Sequence, residues 1–441
     1  MQYSAKPLKI SRLKRPLTGE IDLPADKSIT HRAIMLASCA KGKSEIRNWL
    51  DSHDTRATLE ILISIGTEAT IEDKKLIIQG KNMQFQEPKD ILDAKNSGTS
   101  ARLIAGILST QNFFSVMTGD ESLRKRPMDR VIEPLRQMGA QIDARGGGRS
   151  LPMAIRGGRL KGIEFENKRA SAQVKSSIIL AGLGAEGNIR VFEPILSRDH
   201  TERMLGFLGL KIKTAQEREG YYVELEGGQI VPGFDIVCPA DPSSAAFLAS
   251  AAALIEGSNL RLRRVLLNKT RIGFFEKLSQ MGAKVAFENV REEFGDIVGD
   301  IRVEYSGRLK AVEVKPEEVP RMIDEIVMLA VLMAVAKGSS AVRGAKELRV
   351  KESDRIKAIV KNLRAMGADI EELEDGFEIE GVESLKGAYI ETFSDHRVAM
   401  AFSIAGLIAD GETYIDNPDC VGVSFRDFYE KIGQIAGFEI P

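Results

Sequence analysis

Apolar positions along this 441-residue chain form a phrase that returns six times. Each copy has a small-residue helix that is apolar on nearly every face, a glycine, an alternating stretch, then an amphipathic helix closed by an apolar residue and a second glycine. In the first copy residues 30–40 read as the buried helix, with Gly42 as its C′ residue. Residues 44–48 alternate as a strand, 54–65 carry Ala57, Leu59, Leu62, Ile63 and Ile65 as an amphipathic helix, and 76–78 predict a further strand. Three closing phrases are nearly identical: Leu135-Arg136-Gln137-Met138-Gly139-Ala140, Leu278-Ser279-Gln280-Met281-Gly282-Ala283 and Leu363-Arg364-Ala365-Met366-Gly367-Ala368. Looser copies close at Gly66, Gly209 and Gly437.

The same order returns at 176–183, Gly187, 189–192 and 201–209, and again around Gly257, Gly338 and Gly411; Gln111-Asn112 replaces the glycine in the second copy. A β-α-β-α-β module of roughly 70 residues cannot bury both faces alone, so sister modules must complete its core. Length favours two domains, hence three modules in each. The linker is expected within 231–240, where Pro232, Gly233 and Pro239 interrupt the pattern. A strand at 8–12 precedes the first module and could join either half.

Composition narrows the class. Apolar residues make up 43% and charged residues 28%, as in an ordinary globular protein. A net charge of −1 excludes a broadly basic nucleic-acid binder, so any anion site must be a local cluster. Cys39, Cys238 and Cys420 are far apart, with no Cys-x-x-Cys, and are expected to be reduced thiols rather than zinc ligands or disulfides. The N-terminus lacks a secretory h-region, and the longest apolar run, 326–336, suits a buried helix rather than a bilayer span. A cytoplasmic protein is expected.

The openings of the six apolar helices carry the chemistry: Asp26-Lys27-Ser28, Asn96-Ser97-Gly98-Thr99, Ser171-Ala172-Gln173, Asp241-Pro242-Ser243-Ser244, Arg321-Met322-Ile323-Asp324 and Ser394-Asp395-His396-Arg397. These are N-cap residues, and three such ends converging in each domain would present six positive helix poles to one cleft. Lys27, Arg32, Arg102, Lys175 and Arg397 sit at or near the openings, and Arg126, Arg198, Lys351 and Arg355 in the loops after the first strand. Any one of them read alone is an ordinary solvated helix-end charge.

Individual motifs have the same double meaning. Lys351 and Arg355 stand at i and i+4, predicting one helical face with Glu352 beside them; alone this is a surface salt-bridge ladder, but bound anions would make Glu352 a candidate acid-base group. Gly98 predicts a turn whose N–H groups approach an anion. In Asp395-His396-Arg397 the arginine is the ligand-facing member and His396 structural. Gly42-Lys43-Ser44 lacks the leading glycine of a phosphate loop, and Gly146-Gly147-Gly148 lacks dinucleotide spacing.

Taken together, Asp26-Lys27-Ser28 with Arg32, 96–102, Arg126-Pro127, Ser171-Ala172-Gln173, Asp324, Lys351-Glu352 with Arg355, and Asp395-His396-Arg397 resemble the 5-enolpyruvylshikimate-3-phosphate synthase family along the whole chain. The resemblance implies an α/β fold of two similar domains, residues 25–239 and residues 1–24 with 240–441. Each would hold three β-α-β-α-β-β modules around a pseudo-threefold axis, an inside-out α/β barrel, joined by a double hinge, and the N-terminal strand would fall in the C-terminal half. The implied reaction moves the enolpyruvyl group of phosphoenolpyruvate to the 5-hydroxyl of shikimate 3-phosphate and releases phosphate through a tetrahedral intermediate.

By the same resemblance Lys27, Asp324 and Glu352 are catalytic. Shikimate 3-phosphate would be held by Lys27, Ser28, Arg32, Ser171, Ala172, Gln173, Arg198, Asp324 and Lys351. Phosphoenolpyruvate would lie on Lys27, Asn96, Gly98, Thr99, Arg126, Gln173, Arg355 and Arg397. No metal or cofactor is implied, although Arg198-Asp199-His200-Thr201-Glu202 resembles the class II branch of the family, some of whose members respond to monovalent cations; the partners are the two small substrates, with no nucleic acid or membrane, and the chain is expected to act as a monomer. Ala172 stands where many members have a second serine, Glu347 where some have asparagine, and His200 where some have tyrosine, with Arg198 as the phosphate ligand in its stead. Residues 421–424 lack a lysine often present in the last module. Two alternatives stay open at this point. The sister transferase acting on UDP-N-acetylglucosamine uses a mobile-loop cysteine, and none lies within 118–130. A repeat scaffold for acidic partners would leave Asp324 and Glu352 without purpose.

Overall fold

The computed structural model describes residues 6–217 and 219–436. Its strands lie in six sheets. In the second module Leu92–Asp93 runs parallel to Phe114–Thr118, which pairs antiparallel with Ser150–Arg156, and that strand with Gln141–Ala144. This parallel, antiparallel, antiparallel order recurs in the first module, where Asp235–Val237 lies beside Lys41–Arg47, Lys75–Lys81 and Glu68–Glu72. The sheets of modules three to five repeat it. The sixth sheet has three strands: Tyr389–Ile390 parallel to Glu412–Ile415, completed by Leu8–Ser11 in antiparallel register with Leu8 opposite Ile415. The N-terminal strand thus belongs with the last module, as the resemblance implied. The six sheets stay separate and do not close into a barrel.

Contacts divide the chain into two compact units. One comprises Ala25–Pro239 with Glu292–Asp296; the other comprises the chain up to Pro24, Ala240–Arg291 and the chain from Ile297 onward. The short insert 292–296 is anchored in the first by Phe294, whose ring lies 4.6 Å from Phe207 and 5.5 Å from Phe234.

Each module contributes one inner helix: Lys27–Cys39, Gly98–Ser109, Ala172–Gly182, Pro242–Leu254, Ile326–Val335 and His396–Gly406. They are buried nearly all round, which is why the sequence shows no polar face. Small residues let them approach. A Cβ on Gly106 would stand 2.2 Å from the Ser177 carbonyl oxygen, so the second and third inner helices of the 25–239 unit meet at their backbones. Full burial of such apolar helices contributes about 25 cal/mol per Å² of covered apolar surface, and this is the main force holding each unit together.

The closing glycines explain the repeat's sharpest signature. Gly66, Gly139, Gly209, Gly282 and Gly367 all take φ between +83° and +114°, the left-handed conformation that ends a helix cheaply only at glycine; Gly437 lies outside the described residues. Gly42 differs from expectation. The first helix stops at an extended Ala40, and Gly42 sits inside the strand Lys41–Arg47 at φ +105° with nothing near its missing Cβ. Its backbone angle, not crowding, requires glycine there. Cys39, Cys238 and Cys420 form no disulfide. Among the described residues no helix is long and apolar enough to cross a membrane.

Candidate active site

In the 25–239 unit the three inner helices begin side by side. Asp26 caps the first by accepting from the Ile29 N–H at 2.7 Å, and Ser97 caps the second through the Ser100 N–H at 3.2 Å. Ser171 occupies the N-cap position of the third without spending its hydroxyl on the cap, which leaves that oxygen for another use. Gln173 joins two of these ends: its Nε2 donates to Thr99 Oγ1 at 3.0 Å and its Oε1 accepts from Arg102 Nη1 at 2.6 Å. Arg32 joins the other pair, donating from Nε to Thr201 Oγ1 (2.7 Å), from Nη2 to Ser176 Oγ (2.8 Å) and from Nη1 to the Ser28 carbonyl (3.1 Å).

Around them stand cations fixed by short contacts. Lys27 Nζ lies 3.0 Å from Asp54 Oδ2, and Arg126 Nη1 donates to the Asn96 carbonyl at 3.3 Å, while Asn96 Nδ2 donates to Asp120 at 2.6 Å. Gly98 is the first residue of its helix rather than a free turn. A Cβ there would come within 3.0 Å of Arg102 Nη1 and 3.3 Å of Arg126 Nη1, so the glycine makes room for two guanidinium groups. Ser28, Ala172 and Thr99 flank these groups at the same helix ends, half-buried, and Arg198 follows the strand Glu186–Glu193 as Arg126 follows Phe114–Thr118. His31, buried behind Lys27, shares a hydrogen bond of 2.7 Å with Thr58 Oγ1, and burial together with Lys27 and Arg32 holds it well below the usual histidine range.

Lys175, in contrast to the expectation from sequence, does not face a ligand. It is fully buried, with Nζ 2.7 Å from Glu193 and 2.8 Å from Glu202; burial opposes its charge, but the two carboxylates outweigh that and raise its pKa. Behind it Asp199, His200 and Asp296 bring potential ligand atoms within 4.8 Å of one another, and Arg203 already places Nε 2.5 Å from Asp199.

The other unit builds a second cluster around one acid. Asp324 Oδ1 lies 3.2 Å from Arg355 Nη1, 3.6 Å from Lys351 Nζ and 3.9 Å from Arg397 Nε. Arg355 is 1% exposed and meets three acids, with Nε 2.8 Å from Asp395, Nη2 2.7 Å from Glu352 and Nη1 on Asp324. Burial works against its charge, and Asp395, Glu352 and Asp324 together raise its pKa. Burial would likewise lift Asp395, but Arg355 prevails and holds it below the ordinary carboxylate range. Asp395 also caps the last inner helix through the Arg397 N–H, and Arg397 donates to the Asp324 carbonyl at 3.2 Å. His396 is buried, in keeping with a structural role.

Two local expectations fail here. Lys351 and Arg355 do not share a helical face: residues 351–354 form a turn, and the helix begins at Arg355 with Asp354 as its N-cap. They converge because the turn folds back toward Asp324, not because of helical spacing. Nor is Asp324 a cap. The inner helix starts at Ile326 behind Glu325, without a side-chain cap, and Asp324 is thereby released to face the cations.

Sequence reasoning missed Asp54, Glu325, which is 3.8 Å from Arg397 and accepts from Ser243, and Glu193. Glu193 was legible in principle, since it continues the inward alternation of Ile189 and Val191, where an acid is out of place.

The profile of EPSP synthase (3-phosphoshikimate 1-carboxyvinyltransferase) matches residues 12–432. The 3-phosphoshikimate 1-carboxyvinyltransferase of Aquifex aeolicus is 55% identical over 98% of this chain and 100% of its own, and that of Persephonella marina 50% identical over 97% and 98%. The EPSP synthase structure from Acinetobacter baumannii superposes with a TM-score of 0.86 at 41% identity, covering 98% of both chains. A full-length match of sequence and fold, with one modular plan running through both, places the chain in the EPSP synthase family.

Proposed function

We infer that this chain transfers the enolpyruvyl group of phosphoenolpyruvate to the 5-hydroxyl of shikimate 3-phosphate and releases inorganic phosphate. In the first step the hydroxyl oxygen bonds to C2 of phosphoenolpyruvate while C3 gains a proton, giving a tetrahedral ketal with a methyl group. In the second, C3 loses a proton as the C2–O bond to phosphate breaks, leaving the enolpyruvyl ether. Two phosphates and two carboxylates must be gathered without repulsion, a task suited to clustered helix poles and guanidinium groups.

The roles proposed are those that membership of the family implies, and the two clusters described above are compatible with them. Ser28, Arg32, Ser171, Ala172, Gln173, Arg198, Asp324 and Lys351 are assigned to shikimate 3-phosphate, and Lys27 to both substrates. Asn96, Gly98, Thr99, Arg126 and Gln173, with Arg355 and Arg397, receive phosphoenolpyruvate. Asp324 accepts the hydroxyl proton, its charge held by three cations. Glu352 delivers a proton to C3 and later takes one back. The observation that supports this assignment most is the Asp324 cluster, a carboxylate facing Lys351, Arg355 and Arg397 within 4 Å. An acid set among cations in this way is a candidate for proton transfer beside bound anions.

Fixed cations take the place of a metal in this reading, so turnover should persist after chelation of divalent ions; a monomeric catalytic species is proposed separately and is checked by size-exclusion chromatography with light scattering. Phosphate release by purified protein tests the reading: it requires both phosphoenolpyruvate and shikimate 3-phosphate. Release with UDP-N-acetylglucosamine in place of the shikimate would select the sister reaction instead.

A further inference from the structure

Glu193 is fully buried at the end of the strand Glu186–Glu193, and every hydrogen bond it accepts comes from a segment that carries a candidate shikimate 3-phosphate group. Its Oε1 accepts from Asn167 Nδ2 and from Ser197 Oγ, both at 2.7 Å. Its Oε2 accepts from Lys175 Nζ at 2.7 Å and from the Ser197 N–H at 3.2 Å. Four donors saturate the acceptor capacity of a carboxylate, so the group has one orientation available.

Asn167 and Ser197 lead to candidate site residues directly, and Lys175 does so through Glu202 and Thr201. Asn167 clamps the residue that opens the third inner helix: its Nδ2 also donates to the Ser171 carbonyl at 3.0 Å, and its Oδ1 accepts the Ser171 N–H at 3.3 Å. Ser197 immediately precedes Arg198, and Lys175 Nζ additionally reaches the Ser197 carbonyl at 3.4 Å. Lys175 then pairs with Glu202 at 2.8 Å, whose neighbour Thr201 receives Arg32 Nε at 2.7 Å. Ser171, Arg198 and Arg32 come from three parts of the chain and are tied through one carboxylate.

We propose that Glu193 is a positioning residue for shikimate 3-phosphate, fixing Ser171, Arg198 and Arg32 in mutual register through Asn167, Ser197 and Lys175 without touching the substrate. The proposal rests on the assignment of those three residues given above. Its physical basis is preorganisation: a phosphate is gripped by several donors at once only if they are held in place before it arrives.

Steady-state kinetics and calorimetric binding of shikimate 3-phosphate, on the full chain, test it. Glu193→Gln keeps the shape of the side chain but turns one acceptor into a donor facing Lys175 and Ser197, and should weaken shikimate 3-phosphate about 10- to 100-fold. The KM for phosphoenolpyruvate should stay within about twofold, and Glu193→Asp should recover part of the loss, a split that general destabilisation would not produce. Should Glu193→Gln fail to fold, Asn167→Ala severs only the Ser171 branch and is expected to weaken the same substrate about tenfold with phosphoenolpyruvate unaffected. Arg32→Gln serves as the control for the underlying assignment. If it leaves shikimate 3-phosphate binding intact, the assignment fails and the proposal with it. If Arg32→Gln weakens binding while Asn167→Ala and Glu193→Gln do not, or if both substrates weaken equally, the proposal alone is overturned.

Discussion

Replacing Gly98 by alanine probes the phosphoenolpyruvate side with a single methyl group. The added carbon would stand 3.0 Å from Arg102 Nη1, 3.3 Å from Arg126 Nη1 and 3.5 Å from Arg126 Cζ. Ordinary carbon-to-heavy-atom contact needs roughly 3.5 to 4 Å, so both guanidinium groups must retreat by a few tenths of an ångström. Arg102 is not free to do so quietly, because its Nη1 holds Gln173 at 2.6 Å and its Nη2 the Pro127 carbonyl at 2.9 Å, and Gln173 in turn holds Thr99. Loss of one good charge-assisted contact is worth about 1.5 to 3 kcal/mol, or about 10- to 100-fold in affinity. Gly98→Ala should therefore raise the KM for phosphoenolpyruvate at least about tenfold and affect shikimate 3-phosphate less, since in the proposed assignment only Gln173 of its ligands adjoins the disturbed contacts. Folding stability should fall by no more than the cost of that contact, about 1.5 to 3 kcal/mol, offset by up to about 1 kcal/mol because the helix start gains a better helix former. Initial rates over a matrix of both substrates, with a thermal melt alongside, check this. An unchanged KM for phosphoenolpyruvate, or a rise confined to shikimate 3-phosphate, would refute the placement of Gly98 and Arg126 at that substrate.

Three further outcomes follow from the same geometry. Glu352→Gln keeps a polar group beside Arg355 but cannot shuttle a proton, so kcat should drop about 10²- to 10⁴-fold in phosphate-release assays with stability little altered; normal turnover would remove Glu352 from the scheme. Asp395→Ala strips buried Arg355 of one carboxylate and the last inner helix of its cap, and denaturant melts should show a loss of about 3 to 5 kcal/mol; a loss below about 1 kcal/mol would contradict the buried pairing. The depressed His31 pKa means that the unfolded chain binds a proton which the folded chain refuses, so stability is full above about pH 6.5 and declines as pH falls, by up to about 1.4 kcal/mol per unit. His31→Gln should flatten that decline in urea midpoints compared between about pH 7.5 and about pH 5.5, and an identical slope in both proteins would show that other groups cause it.

The modular plan was legible because it is set locally, by residues close together in the chain. Closing glycines such as Gly139 and Gly282 need a left-handed backbone wherever they stand, and Ile326–Val335 has no polar face because it has no solvent. Helix starts were readable from caps at Asp26, Ser97 and Asp395 for the same reason. What resisted was anything set by tertiary return of the chain. The periodicity of 351–355 suggests a helical face, whereas a bend after the short helical turn 346–350 brings Lys351 back to Asp324 within the same module. Lys175 reads as one more cation at a helix opening, and only the strand behind it, ending in Glu193, shows that its charge is turned inward. Gly98 carries the usual meaning of a turn glycine in sequence; its neighbours Arg102 and Arg126 supply the actual reason.

Addition followed by elimination would leave a signature in the product itself, because in the proposed scheme C3 of the intermediate gains a solvent-derived hydrogen, delivered by Glu352, before it loses one. Incubation in deuterium oxide with shikimate 3-phosphate and unlabelled phosphoenolpyruvate, followed by mass and NMR analysis, reads it out. One phosphate per enolpyruvyl ether, with deuterium in the ether methylene, is the expected result. Phosphate released without the ether, or an ether free of deuterium after extended turnover in both directions, would contradict it.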